Sequence, residues 1–162
     1  AQSTENTLLE LLERGAPSHP AIRVPGGPSL TYESLRRQVH ALAGQLAGLG
    51  IRRGDRVAIV LPNGIEVIAS FLAVSGVATA APLNAAYKPE EFEFYLEDTR
   101  ARAVITGPTG DEEAVKAAPR GALHITVAMD QEGEINFYGP AAASASSRWA
   151  SLPSQPWMVF AA

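Results

Sequence analysis

The sequence predicts an α/β fold with a mostly parallel sheet and helices on both faces. Short apolar runs alternate along the chain with longer segments whose apolar residues recur every three or four positions. The short runs contain few polar residues, which is typical of parallel strands covered on both faces. Glycine, proline and asparagine separate the two kinds of segment. Because successive strand–helix–strand units form right-handed crossovers, this order indicates a Rossmann-like sheet.

The first elements predicted are a short helix and a hairpin. Residues 7–14 carry four leucines on one helical face, and Gly15 follows as a stop signal. Residues 21–24 alternate in the manner of a strand, and the Pro-Gly-Gly-Pro turn at 25–28 leads to residues 29–30, which can pair back.

A long helix is predicted next, from Thr31 to about residue 49. Thr31 has the side chain of an N-cap, Glu33 lies in the first turn, and Gly50 is the expected C-terminal stop. The predicted buried stripe consists of Leu35, Val39, Leu42, Leu46 and Leu49.

A nearly continuous apolar strand follows at residues 56–61. The helix predicted at residues 65–75 is apolar almost all round, so we expect it to be deeply buried. Residues 78–83 form a small, apolar strand that Pro82 and Asn84 are expected to end.

Pro89 opens the next helix at the position where its missing N–H is harmless, and acidic residues occupy the first turn. Phe92, Tyr95 and Leu96 share one face of this helix. Further strands are predicted at 103–106 and 123–128, with a charged helix at 111–118 between them.

The pattern becomes weaker after Asp130. Residues 135–138 are expected to form a short strand, and the Ala/Ser tract at 141–147 is expected to be a linker or a frayed helix. We therefore divide the chain into a Rossmann-like subdomain at residues 1–130 and a linker with a truncated approach segment at 131–162. Apolar side chains near the end are expected to pack against something outside the subdomain; they are Trp149, Leu152, Trp157, Val159 and Phe160.

Composition excludes several classes of function. The net charge is −4 and no basic stripe is present, so nucleic-acid binding is not expected. The absence of cysteine excludes disulfides and thiolate catalysis. No signal peptide is visible, and the longest uncharged run, residues 67–83, is too short and too polar for a membrane span.

Motifs that perform chemistry are scarce. The sequence has no Gly-x-Gly-x-x-Gly, Walker or Gly-x-Ser-x-Gly motif. The turn at residues 106–111 could form an anion nest, but Pro108 removes an amide and Asp111 repels phosphate, so a plain turn is favoured. His19, His40 and His124 lack metal-ligand spacing.

Two further features contain candidate site residues. The carboxylates that crowd the helix after Pro89 could include an acid–base pair, but a solvated helix face is favoured. Asn84 and Tyr87 follow the carboxyl end of a strand, where open α/β sheets bind ligands, and are the candidates for substrate-side residues. Their alternative role is structural, with Asn84 bonding the loop backbone and Tyr87 covering the core.

Several short motifs, in order, carry a family resemblance. They are LTY at residues 30–32, GDRVAI at 54–59, LPN at 61–63, AAPLN at 80–84 followed by Tyr87, PEE at 89–91 and LED at 96–98. Over residues 7–128 the chain resembles the N-terminal part of adenylate-forming enzymes, which include acyl-CoA synthetases, luciferases and peptide-synthetase adenylation domains. Residues 78–98 look most like the branch of the oxalate–CoA and 4-coumarate–CoA ligases.

The resemblance implies a reaction in two steps. In such enzymes a carboxylate attacks MgATP to give an acyl-adenylate and pyrophosphate, and the thiol of CoA then displaces AMP. The phosphate-binding Ser/Thr/Gly loop, the acidic residues for metal and ribose, and the catalytic lysine of the family do not occur in the 162 residues. We therefore assign no catalytic, cofactor-binding or metal residue, and expect the fragment to bind neither ATP, Mg²⁺ nor CoA by itself.

The resulting hypothesis is an N-terminal, truncated fragment of an acid–CoA ligase that is inactive alone. Its expected partners are the remainder of the enzyme and, through it, a small carboxylic acid, ATP and CoA. The resemblance implies a cytoplasmic protein, or a peroxisomal one in a eukaryote. The alternative is a non-catalytic binding or assembly module that kept the fold, which the apolar residues at 149–160 would suit.

Overall fold

A computed structural model describes residues 7–139 of the chain. The predicted linker tract at 141–147 and the apolar residues at 149–160 lie outside this range. The helices are α1 (Leu8–Glu13), α2 (Tyr32–Gly48), α3 (Ile65–Val77), α4 (Pro89–Thr99) and α5 (Glu112–Ala117). The strands are β1 (Pro20–Arg23), β2 (Ser29–Thr31), β3 (Arg56–Val60), β4 (Thr79–Leu83), β5 (Ala103–Thr106), β6 (Leu123–Met129) and β7 (Ile135–Tyr138).

The helix ends follow from their capping residues. Thr7 and Glu10 form a reciprocal capping box at α1. The Thr31 hydroxyl accepts the amide of Ser34 at 3.2 Å, and so caps α2 as its sequence predicts. In α4, the amide of Lys88 donates to the carboxylate of Glu91 at 2.8 Å. These caps satisfy amides that the helices leave unpaired.

The main sheet has the strand order β4-β3-β5-β6-β7. The first four strands are parallel, and β7 joins β6 antiparallel. The predicted α/β, mostly parallel Rossmann-like architecture is therefore confirmed. The hairpin of β1 and β2 forms a separate two-stranded sheet. The sheet extends past residue 130 through β7, and the proposed domain division at that residue stays a prediction.

Alternate strand residues divide the core between the two faces of the sheet. Val57 and Ile59 of β3 pack with α2 and α3, whereas Ala58 and Val60 pack with α4 and α5. We call these the α2/α3 face and the α4/α5 face. The α2/α3 cluster contains nineteen buried hydrophobic residues and the α4/α5 cluster seven, so most of the core lies on the first face.

Two glutamines of α2 close one edge of the sheet. The amide of Ile135 in β7 donates to Oε1 of Gln38 at 3.2 Å, and that of Phe137 donates to Oε1 of Gln45 at 2.9 Å. The side-chain amide of Gln38 also donates to the carbonyl of Gly133 at 3.0 Å. Both glutamines are buried, and they supply the outer amides of β7 with acceptors that a further strand would otherwise provide.

Strand β4 forms the other edge of the sheet within residues 7–139. It ends at Leu83, as the strand predicted at residues 78–83 does, and Pro82 lies within it. Proline is tolerated there because the strand pairs on one side only, with β3.

Two helices are less buried than their patterns predicted. Ile68 in α3 is 41% exposed, although α3 packs on α1, α2 and the sheet. In α1, Leu9 and Leu12 pack on the core while Leu8 and Leu11 are exposed. None of the helices that the structure describes is both long and apolar enough to cross a membrane.

Candidate functional site

The loop after β4 holds the two proposed substrate-side residues. Asn84 is exposed, and its Oδ1 accepts a hydrogen bond from the amide of Ala86 at 3.0 Å. The amide of Tyr87 donates to the carbonyl of Asn84 at 3.1 Å. Asn84 therefore folds its own turn, as asparagine commonly does.

The ring of Tyr87 is half-buried over the α4/α5 cluster. It meets Phe92 edge-on at 5.8 Å and stacks on Tyr95 at 5.1 Å, with 19° between the stacked planes. Desolvation raises the pKa of the Tyr87 hydroxyl above its usual value, and the neighbouring Tyr95 and Glu91 add to the increase. The phenol therefore remains neutral at physiological pH.

Two more aromatic side chains extend this region across α4. Phe94 is 63% exposed and contacts Tyr95 edge-on at 5.2 Å. We call Tyr87, Phe94 and Tyr95 the aromatic surface. Exposed single apolar residues are common, whereas three rings joined through Tyr95 offer a platform for another flat or apolar group.

The turn between β5 and α5 does not fit a phosphate group. The carboxylate of Asp111 accepts the amide of Ala114 at 3.2 Å and so occupies the start of α5. The amide of Gly110 donates to the carbonyl of Gly107 at 3.0 Å. Since a negative side chain already covers the free amides, the segment has the geometry of a capped turn.

The histidines and the acidic residues of α4 do not form a site either. His124 Nε2 shares a hydrogen bond with Thr106 Oγ1 at 2.8 Å, and burial lowers the pKa of His124 below its usual value. His19 and His40 are exposed. The acidic side chains of α4 are exposed too; they are Glu90, Glu91, Glu93, Glu97 and Asp98. Within residues 7–139, no three histidine, aspartate or glutamate residues form a group that could hold a metal ion.

A cavity of about 730 Å³ lies at the opposite end of the sheet, where β3, β5 and β6 begin. Four arginines line it: Arg56, Arg100, Arg102 and Arg120. Three carboxylates, those of Asp55, Glu93 and Glu97, line the same space. Within the described range, none of these arginines forms an ion pair. We call this space the arginine cavity.

Sequence reasoning missed the arginine cavity, although a signal for it exists. Arg56 is the first residue of β3, Arg102 immediately precedes β5, and Arg120 lies three residues before β6. The amino ends of neighbouring parallel strands meet at one edge, so arginines at successive strand starts must converge. The carboxyl ends, where such sheets usually bind ligands, lie at the opposite edge.

Comparison with known proteins defines the class. The sequence pattern of the AMP-binding enzyme family matches residues 11–158. The chain therefore belongs to the AMP-binding enzyme family, and the resemblance stated from its motifs is confirmed.

Individual relatives of this chain are CoA ligases as well. The oxalate–CoA ligase of Arabidopsis thaliana is 39% identical over 133 residues, which are 80% of this chain and 26% of that protein. A protein named as a probable CoA ligase from Humulus lupulus is 43% identical over 128 residues, 76% of this chain and 24% of its own. The ATP-bound structure of MatB from Rhodopseudomonas palustris superposes with a TM-score of 0.65 at 26% identity, covering 92% of this chain and 30% of that chain. The chain thus spans about a quarter of the length of the curated relatives it matches.

Proposed function

We propose that this chain is the N-terminal scaffold of an acid–CoA ligase. In the whole enzyme a carboxylate, ATP and CoA would be converted to acyl-CoA, AMP and pyrophosphate through an acyl-adenylate. The observation that carries the proposal is the match to acid–CoA ligases over four fifths of this chain but only a quarter of their length. The remainder of the enzyme is then the main partner of residues 7–139.

The chemistry of the described residues supports a scaffold role. ATP and Mg²⁺ require a phosphate cradle and oxygen ligands. The best candidate cradle, residues 106–111, is capped by Asp111, and no carboxylate–histidine group suits a metal within residues 7–139. We therefore assign no adenylation step to these side chains.

The loop with Asn84 and Tyr87 is our proposed contribution to the substrate side. The amide nitrogen of the Asn84 side chain has no partner within residues 7–139, so it remains available as a donor. Beside it, the aromatic surface offers stacking area. In the whole enzyme these groups would contact the acid or CoA, while Tyr87 also covers the core.

The alternative of a non-catalytic module rests on the apolar residues at 149–160. Those residues lie outside the described range, and no contact of residues 7–139 favours the alternative. The compartment we propose is the cytoplasm, with the peroxisome as its alternative in a eukaryote. Fluorescence microscopy of the tagged whole protein in its own cells distinguishes the two.

The test of the proposed function is ATP–pyrophosphate exchange with a panel of carboxylic acids that includes oxalate. We expect no exchange with the 162-residue chain. A chimera in which this chain replaces the corresponding segment of the Arabidopsis oxalate–CoA ligase should restore exchange, because the two segments are 39% identical.

The unaltered oxalate–CoA ligase is the positive control for the chimera. Exchange by the isolated chain above the enzyme-free background would contradict the scaffold role. A chimera that is folded by circular dichroism but inactive would contradict the equivalence of the two segments. In an active chimera, Tyr87→Leu should raise the KM for the acid or for CoA, and an unchanged KM for both would exclude Tyr87 from the substrate side.

A further inference from the structure

The arginine cavity contains two guanidinium groups that donate to backbone carbonyls and two that have no hydrogen-bond partner within residues 7–139. Nε of Arg56 donates to the carbonyl of Thr99, and Nη1 of Arg102 donates to the carbonyl of Gly121 at 3.3 Å. A guanidinium has five N–H donors, so each of these arginines retains donors for another group. The side chains of Arg100 and Arg120 have no hydrogen-bond or ion-pair partner within residues 7–139.

The backbone of Arg100 adds an independent observation. Its φ of 49° and ψ of 50° place it in the left-handed region at the end of α4. Every other residue with positive φ in the described range is a glycine. Glycine would occupy this position without strain, so an arginine here has a conformational cost that its backbone does not explain.

Negative groups also face the cavity. Glu93 and Glu97 lie one turn apart on α4, and the C-terminal ends of α4 and α5 direct partial negative charge to the same place. Arginine side chains near these helix ends would offset their partial negative charge. That effect explains the positive charge but not the strained backbone of Arg100. A wall with both signs suits a ligand that presents an anion to the arginines and hydrogen-bond donors to the carboxylates.

The size of the cavity narrows the choice of ligand. About 730 Å³ exceeds what a single inorganic anion fills and lies within the range of small-molecule sites, roughly 300–1,000 Å³. The planar guanidinium recognises both carboxylate and phosphate with two parallel hydrogen bonds. A phosphate monoester carries a charge of about −1.5 to −2 at pH 7 and so suits a site with several arginines better than a single carboxylate does. The carboxylates of Glu93 and Glu97 can accept hydrogen bonds from hydroxyl groups.

We propose that the arginine cavity binds a sugar phosphate, with Arg100 and Arg120 on the phosphate and the α4 carboxylates on the hydroxyls. Arg56 and Arg102, fixed by backbone carbonyls, form the positive floor of the site. This site lies at the amino ends of the strands, opposite the loop of Asn84 and Tyr87. It is therefore separate from the proposed substrate side.

The test is a titration of the ¹⁵N-labelled 162-residue chain, followed by amide chemical shifts, with ribose 5-phosphate as the probe. Ribose and inorganic phosphate are the comparators. We expect saturable shifts around residues 100–102 and 120–122 with ribose 5-phosphate, weaker binding of inorganic phosphate and none of ribose. Equal affinity for inorganic phosphate, or no saturable shift with ribose 5-phosphate, overturns the proposal.

Variants locate the binding. Arg100→Gln and Arg120→Gln should each weaken binding about tenfold, because each removes a charged hydrogen bond to phosphate. Arg100→Gly should weaken it equally while raising Tm, since the strain is relieved, and this excludes misfolding as the cause. Arg23→Gln, which removes the same charge from the separate hairpin, is the matched control. Unchanged affinity in both arginine-to-glutamine cavity variants, or an equal loss in Arg23→Gln, overturns the proposal.

Discussion

The two faces of the sheet differ in how completely they are sealed. The α2/α3 face has a cluster of nineteen buried residues, of which three are alanines, and α2 also closes the β7 edge through Gln38 and Gln45. The α4/α5 face has a small cluster with three alanines among its members, and it borders both the aromatic surface and the arginine cavity. The α2/α3 face contributes most of the buried core. The α4/α5 face has few buried residues and carries the aromatic surface and the arginine cavity.

The difference matters for a member of the AMP-binding enzyme family. Exposed aromatic and charged groups contribute little to the core, so buried contacts elsewhere must stabilise the elements that carry them. The α2/α3 face provides that support. Its stability should consequently be sensitive to substitutions that the α4/α5 face tolerates better.

A pair of leucine truncations tests this most strongly. Leu42 in α2 and Leu96 in α4 are both fully buried, but they belong to different clusters. Buried Leu→Ala substitutions cost about 2.7–5.0 kcal/mol, less where the surroundings can collapse into the space. We expect Leu42→Ala near the upper value and Leu96→Ala near the lower one, measured by urea denaturation.

Each leucine variant serves as the control for the other, since the same atoms are removed from a helix. A cost for Leu96→Ala equal to or greater than that for Leu42→Ala would show that the two faces are equally sealed. The contrast between them would then rest on surface groups alone.

The closed β7 edge is tested by Gln45→Met, which keeps the length of the side chain and removes its acceptor. The amide of Phe137 would lose its partner at 2.9 Å, and an unpaired buried amide costs about 1–3 kcal/mol. Urea denaturation should show this loss, and hydrogen exchange of the Phe137 amide should accelerate. Gln131→Met, at an exposed position, is the control. Unchanged protection at Phe137 would mean that Gln45 does not close the edge.

This edge also marks the limit of what the sequence could reveal. The periodicity of Leu35, Val39, Leu42 and Leu46 predicted the buried stripe of α2, since apolar spacing is local information. The burial of Gln38 and Gln45 could not be predicted, because their partners are some ninety residues away in sequence. Whether a strand tolerates proline likewise depends on whether it is an edge strand, and the edge position of β4 follows only from the strand order.

The candidate site divides in a similar way. The backbone bond of Asn84 was one of the two roles predicted for it, because asparagine commonly bonds its own turn. The arginine cavity needs the strand order, since Arg56, Arg102 and Arg120 meet only once β3, β5 and β6 are neighbours. The left-handed backbone of Arg100 has no signature in composition or spacing.

The α2/α3 face contains a buried polar group without a hydrogen-bond partner in residues 7–139, and its removal should stabilise the fold. The hydroxyl of Ser70 in α3 is buried and has no hydrogen-bond partner within the described residues. Ser70→Ala removes this unpaired group and favours the helix, so we expect a gain of about 1 kcal/mol. The measurement is again urea denaturation, with Ser75→Ala, at a less buried position of the same helix, as the control. A loss of stability would indicate that the Ser70 hydroxyl has a partner in solution.

The smallest expected effect concerns pH and the α4/α5 face, where His124 lies beside Thr106. Burial lowers the pKa of His124 in the folded chain, so below the usual histidine pKa of 6.5 the unfolded chain binds the proton more readily. Stability therefore falls as pH decreases from about 7 to 5, and not as it rises above 7. His124→Gln should reduce the fall in Tm over this range, and His19→Gln, at an exposed position, is the control. Equal falls in the wild type and in His124→Gln would mean that the α4/α5 face is open enough for His124 to titrate as it does in the unfolded chain.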